Sequence, residues 1–155
     1  MPTTIRRWAL VVFVAALVFA WRAETNQDVA VAQARKPIMM TRIFTGPDGL
    51  SHAEQVEMKL NGNVTEMMKA TGVEFSRRAP GPASDWHVGP RRQFVITLSG
   101  RSELVLGDGT KVAGGPGHIN LIEDTTGKGH TTRNIGPEDR IVVTIPLADQ
   151  TVNTR

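Results

Sequence analysis

The chain contains 155 residues, about the length of one domain, and its 40% hydrophobic and 21% charged residues are ordinary values for a globular protein. They exclude a disordered polymer, and the absence of cysteine excludes a disulfide scaffold and a zinc site built from thiolates. The formal net charge of +3 is small and its basic residues are scattered, which argues against nucleic acid as a partner.

The first 34 residues are predicted to form a secretory signal peptide. Arg6 and Arg7 precede an unbroken run of 14 apolar residues, from Trp8 to Trp21. A basic stretch before a short apolar one is typical of such a signal, and about 20 residues are needed to span a bilayer as a helix. We therefore expect an exported protein, periplasmic or secreted, that meets a membrane only through this segment; an uncleaved signal anchor is the alternative. Cleavage patterns of small residues are Ala30-Val31-Ala32, Ala32-Gln33-Ala34 and, earlier, Val18-Phe19-Ala20.

Residues 38–150 are predicted to form one all-β domain. The clearest strand is residues 93–98, where alternate positions on both faces carry β-forming side chains, as in an interior strand. Asp108-Gly109 between two short apolar runs is a strong hairpin signal. Strands spaced by about ten residues, with turn signals between them, are typical of a sandwich or barrel. The further predicted strands are 38–45, 72–76, 103–106, 111–113, 119–122 and 140–147.

The segment from Ser51 to Leu60 has two interpretations. Ser51 and Glu54 match a capping box, and Ala53, Val56 and Leu60 would share one face of a helix. Val56, Met58 and Leu60 also alternate as in a strand, and residues 61–63 (Asn-Gly-Asn) would then form a hairpin turn, which favours the strand. Residues 64–71 are expected to be a short helix or a loop.

Three polar side chains are candidates for a common site. His87 and Gln93 are separated by six residues, and an even separation places both on one face of an extended strand, although Pro90 must bulge it. His130 follows a polar loop and enters a strand. In a closed barrel such side chains converge inside, where two imidazoles and an amide oxygen could hold a divalent metal.

These residues match part of a known pattern. The first motif of the cupin family is G-x5-H-x-H-x3-4-E-x6-G, and His87, Gln93 and Gly100 stand at its first histidine, its glutamate and its closing glycine, with Gly89 in place of the second histidine. The second motif is G-x5-P-x-G-x2-H-x3-N, to which Gly127, His130 and Asn134 correspond. Residues 86–134 therefore resemble a single-domain cupin.

The resemblance implies a small antiparallel, jelly-roll-like barrel that often holds a metal. The metal would be Fe, Mn, Ni or Zn, bound by His87, Gln93 and His130, with one histidine lost and the acid replaced by an amide. The phrases WHxxPRRQ and EDTTGKGH are similar to a subgroup of small cupin-2 proteins, and with them the resemblance covers roughly residues 40–147. The subgroup implies no single reaction.

Four further residues are predicted to line a substrate pocket: Trp86, Arg92, Val95 and Asp124. Each has a plainer interpretation. Trp86 would be a core or rim residue, Arg92 part of a solvated strand face, and Asp124 an exposed or strand-capping residue before a glycine turn. His118 and His52 are expected to be exposed.

Two function classes remain open. The first is a metal-dependent enzyme acting on a small molecule, by isomerase, lyase or dioxygenase chemistry. The second is a non-catalytic, metal-free ligand-binding barrel outside the cytoplasm. In both, the partner is a small-molecule ligand, and a homodimer stays open; no stripe of basic and aromatic residues points to nucleic acid.

Overall fold

The structure, a computed structural model, describes residues 36–148. These residues contain nine β-strands and no helix: β1 Met39–Thr45, β2 Ser51–Glu57, β3 Glu74–Arg78, β4 Gln93–Ser99, β5 Arg101–Leu106, β6 Lys111–Gly114, β7 Ile119–Glu123, β8 His130–Ile135 and β9 Arg140–Pro146. Contacts divide the chain into Met1–Pro37 and Ile38–Arg155, and the strands belong to the second unit. The predicted signal peptide lies outside the described residues, among which no helix is long and apolar enough to cross a membrane.

The strands form two sheets. One has six strands in the order β2-β1-β7-β4-β9-β3, and the other has three in the order β6-β5-β8. The prediction of an all-β, jelly-roll-like barrel of mainly antiparallel strands is confirmed by this arrangement. One pairing departs from the expected antiparallel pattern, because β1 and β7 run parallel. β2 pairs with one edge of β1 as an antiparallel hairpin. β7 pairs with the other edge of β1 and runs in the same direction as β1.

The ambiguous segment at residue 51 is a strand. Ser51 to Glu57 pairs along its whole length with β1, and this pairing satisfies backbone groups that a helix would have bonded internally. Asn61 and Val64 form an isolated bridge around the predicted turn. The residues that follow, 65–69, are loop rather than helix.

Two apolar clusters stabilise the domain on opposite faces of the six-stranded sheet. Between the sheets, Ile43 and Ile122 pack with Leu104 and Leu106 of β5. On the other face, Phe94 and Leu121 pack with the loop residue Met68 and with the further residues Met40, Leu147, Val56, Met58, Ile96, Ile119 and Ile145. Because strand side chains alternate, residues such as Gln93 and Val95 are left facing the inside of the barrel.

Candidate functional site

The inward faces of the strands enclose a cavity of about 630 Å³, a size typical of small-molecule pockets. Its lining follows the two-residue period of each strand, so the cavity is the interior of the barrel. Both sheets contribute. The strand residues on its wall are Glu74, Arg78, Gln93, Val95, Leu104, Asn120, Ile122, His130, Thr132, Asn134, Arg140, Val142, Thr144 and Pro146.

His87 and His130 lie side by side on this wall. Their backbones exchange two hydrogen bonds, from His87 N–H to His130 O (3.0 Å) and from His130 N–H to His87 O (2.8 Å). Directly opposed residues of an antiparallel bridge place their side chains on the same face, and the ring centroids are 4.6 Å apart. Gly129 makes this close approach achievable, since it has φ +71° and a Cβ there would overlap the His87 carbonyl. The backbone bridge thus brings His87 and His130, which are 43 residues apart in the sequence, into contact.

His130 is held by a buried carboxylate. Its Nδ1 lies 2.6 Å from Asp124 Oδ2, which also accepts a hydrogen bond from the Ser51 hydroxyl at 2.9 Å. Asp124 is fully buried and His130 is 5% exposed, so the expectation that Asp124 is exposed or caps a strand is wrong. A carboxylate bound to Nδ1 fixes the ring orientation and leaves Nε2 for the cavity. No side chain or backbone group of residues 36–148 forms a hydrogen bond with that Nε2.

His87 is oriented in a similar way by a neutral group. Its Nδ1 lies 2.9 Å from the backbone oxygen of Asp85 and 3.3 Å from Ser84 Oγ. A carbonyl oxygen can only accept, so Nδ1 carries the hydrogen and Nε2 presents a lone pair. Unlike His130, His87 is solvent-exposed. Within the described part of the chain its Nε2 also has no hydrogen-bond partner.

The structure places Gln93 on the same cavity wall as the two histidines. Gln93 is half-buried at the start of β4 and its side chain makes no hydrogen bond to any residue between 36 and 148. Gly89, which stands where the cupin motif has its second histidine, is buried against β7. A Cβ at position 89 would lie 2.5 Å from Ile122 Cγ2, so Ile122 occupies the space of a third imidazole.

Of the four predicted pocket residues, the structure puts one on the cavity wall, Val95. Arg92 points away from the cavity, because its neighbours Arg91 and Gln93 face inward and strand side chains alternate. It binds Glu123, which also binds Arg42. Trp86 is 46% exposed, with the Lys128 ammonium 4.3 Å from its ring centroid. Asp124 lies behind His130 rather than on the wall.

Two histidines expected at the surface have defined partners. His118 is half-buried, and its Nε2 lies 3.0 Å from Asn120 Oδ1 and 3.3 Å from Thr41 Oγ1. Its expected exposure is therefore wrong. His52 is flanked by two carboxylates, those of Asp48 and Asp108, each 3.0 Å from a ring nitrogen. The hydrogen bond with Asp48, followed by the charge of both carboxylates, raises the pKa of His52 although partial desolvation lowers it.

Of the three arginines on the cavity wall, sequence reasoning missed Arg140. Arg140 is 4% exposed, and Arg78 faces it from the neighbouring strand. Burial, and then the charge of Arg78, lower the pKa of Arg140 to about 10. The signal was present in the alternation of β9, where Arg140, Val142 and Thr144 share one face.

No protein-family model matches the chain, and no curated protein is significantly similar to it. Among solved structures, a cupin 2 conserved barrel domain protein from Salinispora arenicola CNS-205 is similar at 23% identity and a TM-score of 0.39, covering 59% of this chain and 82% of that one. Protein NMB1881 from Neisseria meningitidis is similar at 12% identity and a TM-score of 0.38, covering 75% and 91%. The strand arrangement described above, not these values, carries the assignment of the barrel fold.

Proposed function

We propose that this chain is an exported cupin-type barrel that binds a small molecule in its interior, with His87 and His130 as the polar centre of the site. The observation that carries the proposal is the shared state of the two rings. Each has its Nδ1 engaged by the protein, and each leaves Nε2 to the cavity without a protein partner. Neither Nε2 is among the buried unpartnered atoms of residues 36–148, so a ligand in the cavity can reach both, and each hydrogen bond it forms there contributes about 0.5–1.5 kcal/mol.

His130 also has the arrangement of a proton acceptor. A buried carboxylate on Nδ1 stabilises the imidazolium that forms when Nε2 takes a proton, as in other carboxylate–histidine pairs. Ser51 holds the same carboxylate oxygen, so the pair cannot easily rotate away. These contacts support acid–base chemistry on a bound molecule, in addition to binding.

A divalent metal is the second candidate for this centre. The donors fit in kind, since His87 Nε2, His130 Nε2 and the Gln93 amide oxygen suit Zn²⁺, Ni²⁺, Fe²⁺ or Mn²⁺ to different degrees. Such an ion would act as a Lewis acid on the bound molecule. The three donors are neutral, however, and residues 36–148 contain no cluster of three or more His, Cys, Asp or Glu able to hold a metal. The cavity also carries Arg78, Arg91 and Arg140 against the single acid Glu74, which disfavours a dication.

The metal-free barrel is therefore the interpretation that we place first, and metal analysis of the purified protein separates the two. The purified protein should contain much less than one metal ion per chain, and addition of Ni²⁺ or Zn²⁺ should produce no stoichiometric binding by calorimetry. Binding of one ion per chain that His130→Ala and Gln93→Ala both abolish would establish the metal centre instead. His118→Ala is the matched control, because that imidazole is bound to Thr41 and Asn120.

Export is proposed from the N-terminal sequence alone. Arg6 and Arg7 followed by the apolar run support it. Mass spectrometry of the protein isolated from its own cells should find the mature N-terminus between residues 21 and 36. An intact N-terminus on protein recovered from the cytosol would overturn this proposal without affecting the cavity.

A homodimer is supported by one surface feature. The edge strand β3 carries Phe75, 70% exposed, next to Val73, 59% exposed. Exposed apolar residues on an unpaired sheet edge favour association. Light scattering should give twice the chain mass for the natural sequence and the monomer mass for Phe75→Lys.

A further inference from the structure

Two arginines, the exposed Arg78 and the buried Arg140, lie side by side on adjacent strands of the six-stranded sheet. Arg78 ends β3 and Arg140 begins β9, and the two are directly opposite in the antiparallel register. Both line the cavity. Like charges on directly opposed strand positions repel each other, so the pairing costs free energy unless something between them is negative.

No such negative charge is supplied by residues 36–148. Within residues 36–148, neither arginine forms an ion pair with a carboxylate; Arg77, the outward neighbour of Arg78, takes Asp139 instead. Among the described residues, the side chain of Arg140 donates only to Thr97 Oγ1, from Nε at 3.4 Å and from Nη2 at 3.1 Å. Its Nη1 has no hydrogen-bond partner in the described chain. A guanidinium buried to this extent normally has an acid or phosphate beside it.

The acid that shares the cavity is too far along the strand to neutralise this pair. Glu74 lies four residues before Arg78 on β3, a separation of about 13 Å along an extended strand. Its strand partner is Thr144 rather than Arg140. Glu123, on β7, is separated from β9 by β4 and is already bound by Arg42 and Arg92 outside the cavity.

Two further polar atoms near these arginines are buried and unpaired. Asn134 donates from Nδ2 to the backbone oxygens of Arg78 (3.2 Å) and Ala79 (3.0 Å), which fixes its amide, and its Oδ1 then has no partner. Ser76, two residues before Arg78 and therefore on the same face of β3, has a buried hydroxyl without a partner. The Asn134 oxygen can only accept, so it suits a hydroxyl of a ligand rather than its anionic group, and the anion is bound by the arginines.

We propose that Arg78 and Arg140 form an anion subsite that binds the carboxylate or phosphate of the small molecule held in the cavity. This inference rests on the proposed function, since it names the chemical class of the ligand. The two guanidiniums bind the anionic group from adjacent strands. The ligand's other polar group reaches the His87–His130 pair on the same wall. Arg91, exposed on the lining, attracts the anion from solvent.

The test is thermal unfolding of the purified protein at constant ionic strength, in which chloride is exchanged for phosphate in one series and for succinate in another. We expect one of the two series to raise the midpoint by about 3 °C or more at saturation. The response should be lost in Arg140→Met and reduced at least about tenfold in apparent affinity in Arg78→Met. Arg77→Met is the matched control and should respond as the natural sequence does, because that side chain pairs with Asp139 outside the cavity.

Arg140→Met should also unfold at the same temperature as the natural sequence, or higher, when no anion is present, since it removes an unpaired buried charge. If Arg140 served only to stabilise the fold, Arg140→Met would unfold at a lower temperature than the natural sequence. Equal responses in Arg140→Met and Arg77→Met, or no response to either anion, would overturn the subsite. If neutral polyols or sugars then bind and their binding requires His130, the proposal of a ligand-binding cavity stands and only the anion subsite fails. If no ligand binds, both proposals fail.

Discussion

The two polar regions of the cavity are organised in opposite ways. At the His87–His130 pair every Nδ1 is satisfied by the protein, and Asp124 beneath His130 is in turn held by Ser51. At the Arg78–Arg140 pair the charges face each other and the neighbouring polar atoms have no partners. The first region is preorganised through Asp124 Oδ2, while Asp124 Oδ1 is buried without a partner among residues 36–148. The second is stable only at a cost that a ligand can repay, and such strain is expected where a protein binds rather than where it folds.

The largest expected effect of a substitution concerns the backbone that joins the two histidines. Gly129→Ala introduces a Cβ into the His87 carbonyl, at a residue with φ +71°. We expect a loss of about 3 kcal/mol or more in the free energy of unfolding, and separation of the two rings. Gly109→Ala is the control: its φ is +89°, but no atom lies within 4 Å of the added Cβ. Urea unfolding of both variants measures the difference, and equal losses would show that the close approach to His87 is unimportant.

Removing the carboxylate beneath His130 should have the next largest effect. Asp124→Ala leaves His130 Nδ1 and the Ser51 hydroxyl without their buried partner, for an expected loss of about 2–3 kcal/mol. Asp124→Asn preserves the shape of the side chain and should lower the free energy of unfolding by less, while still altering the tautomer of His130. Nitrogen-15 NMR of the imidazole reports the tautomer directly. Unchanged His130 resonances in Asp124→Asn would contradict the role given to the carboxylate.

Substitution in the arginine pair should stabilise the fold, whereas the two substitutions above destabilise it. Arg140→Met is expected to raise the free energy of unfolding of the ligand-free protein by about 1 kcal/mol at neutral pH. Because the pKa of Arg140 is lowered to about 10, the folded state penalises the charged guanidinium. That penalty is present in full below pH 10 and is relieved as pH rises above it. The advantage of the variant should therefore shrink above pH 10, and an advantage independent of pH would contradict this origin.

The smallest effect is expected at His52, on the surface. Its pKa is raised in the folded state, chiefly by the hydrogen bond with Asp48, so protonated His52 stabilises the fold. This stabilisation is complete below the unfolded pKa of about 6.5 and is lost as pH rises through the raised folded value. Comparing the unfolding midpoints of the natural sequence and His52→Gln across that interval isolates the contribution. A difference that does not vary with pH would rule it out.

Much of the fold followed from local patterns. The alternation at residues 93–98 predicted the interior strand β4, and Asp108-Gly109 predicted the hairpin of β5 and β6; both are confirmed. The parallel pairing of β1 with β7 was not predicted, since strand direction depends on the path of the chain between them. His87, Gln93 and His130 were proposed as one site and the structure places all three on one cavity wall, while their role stays a prediction.

The sequence by itself determined the strand content, the turns and the chemical types gathered near residues 87–93 and 124–130, because side-chain alternation and turn residues act over a few positions. Only the tertiary structure decided which neighbour of a pair faces the cavity. Arg91 lines it and Arg92 does not, Asp124 is buried behind His130, and Arg140 meets Arg78 across 62 residues of chain. These outcomes depend on strand register, which shifts within β4 between Thr97 and Ser99, and a slip of one residue would exchange the inward and outward faces.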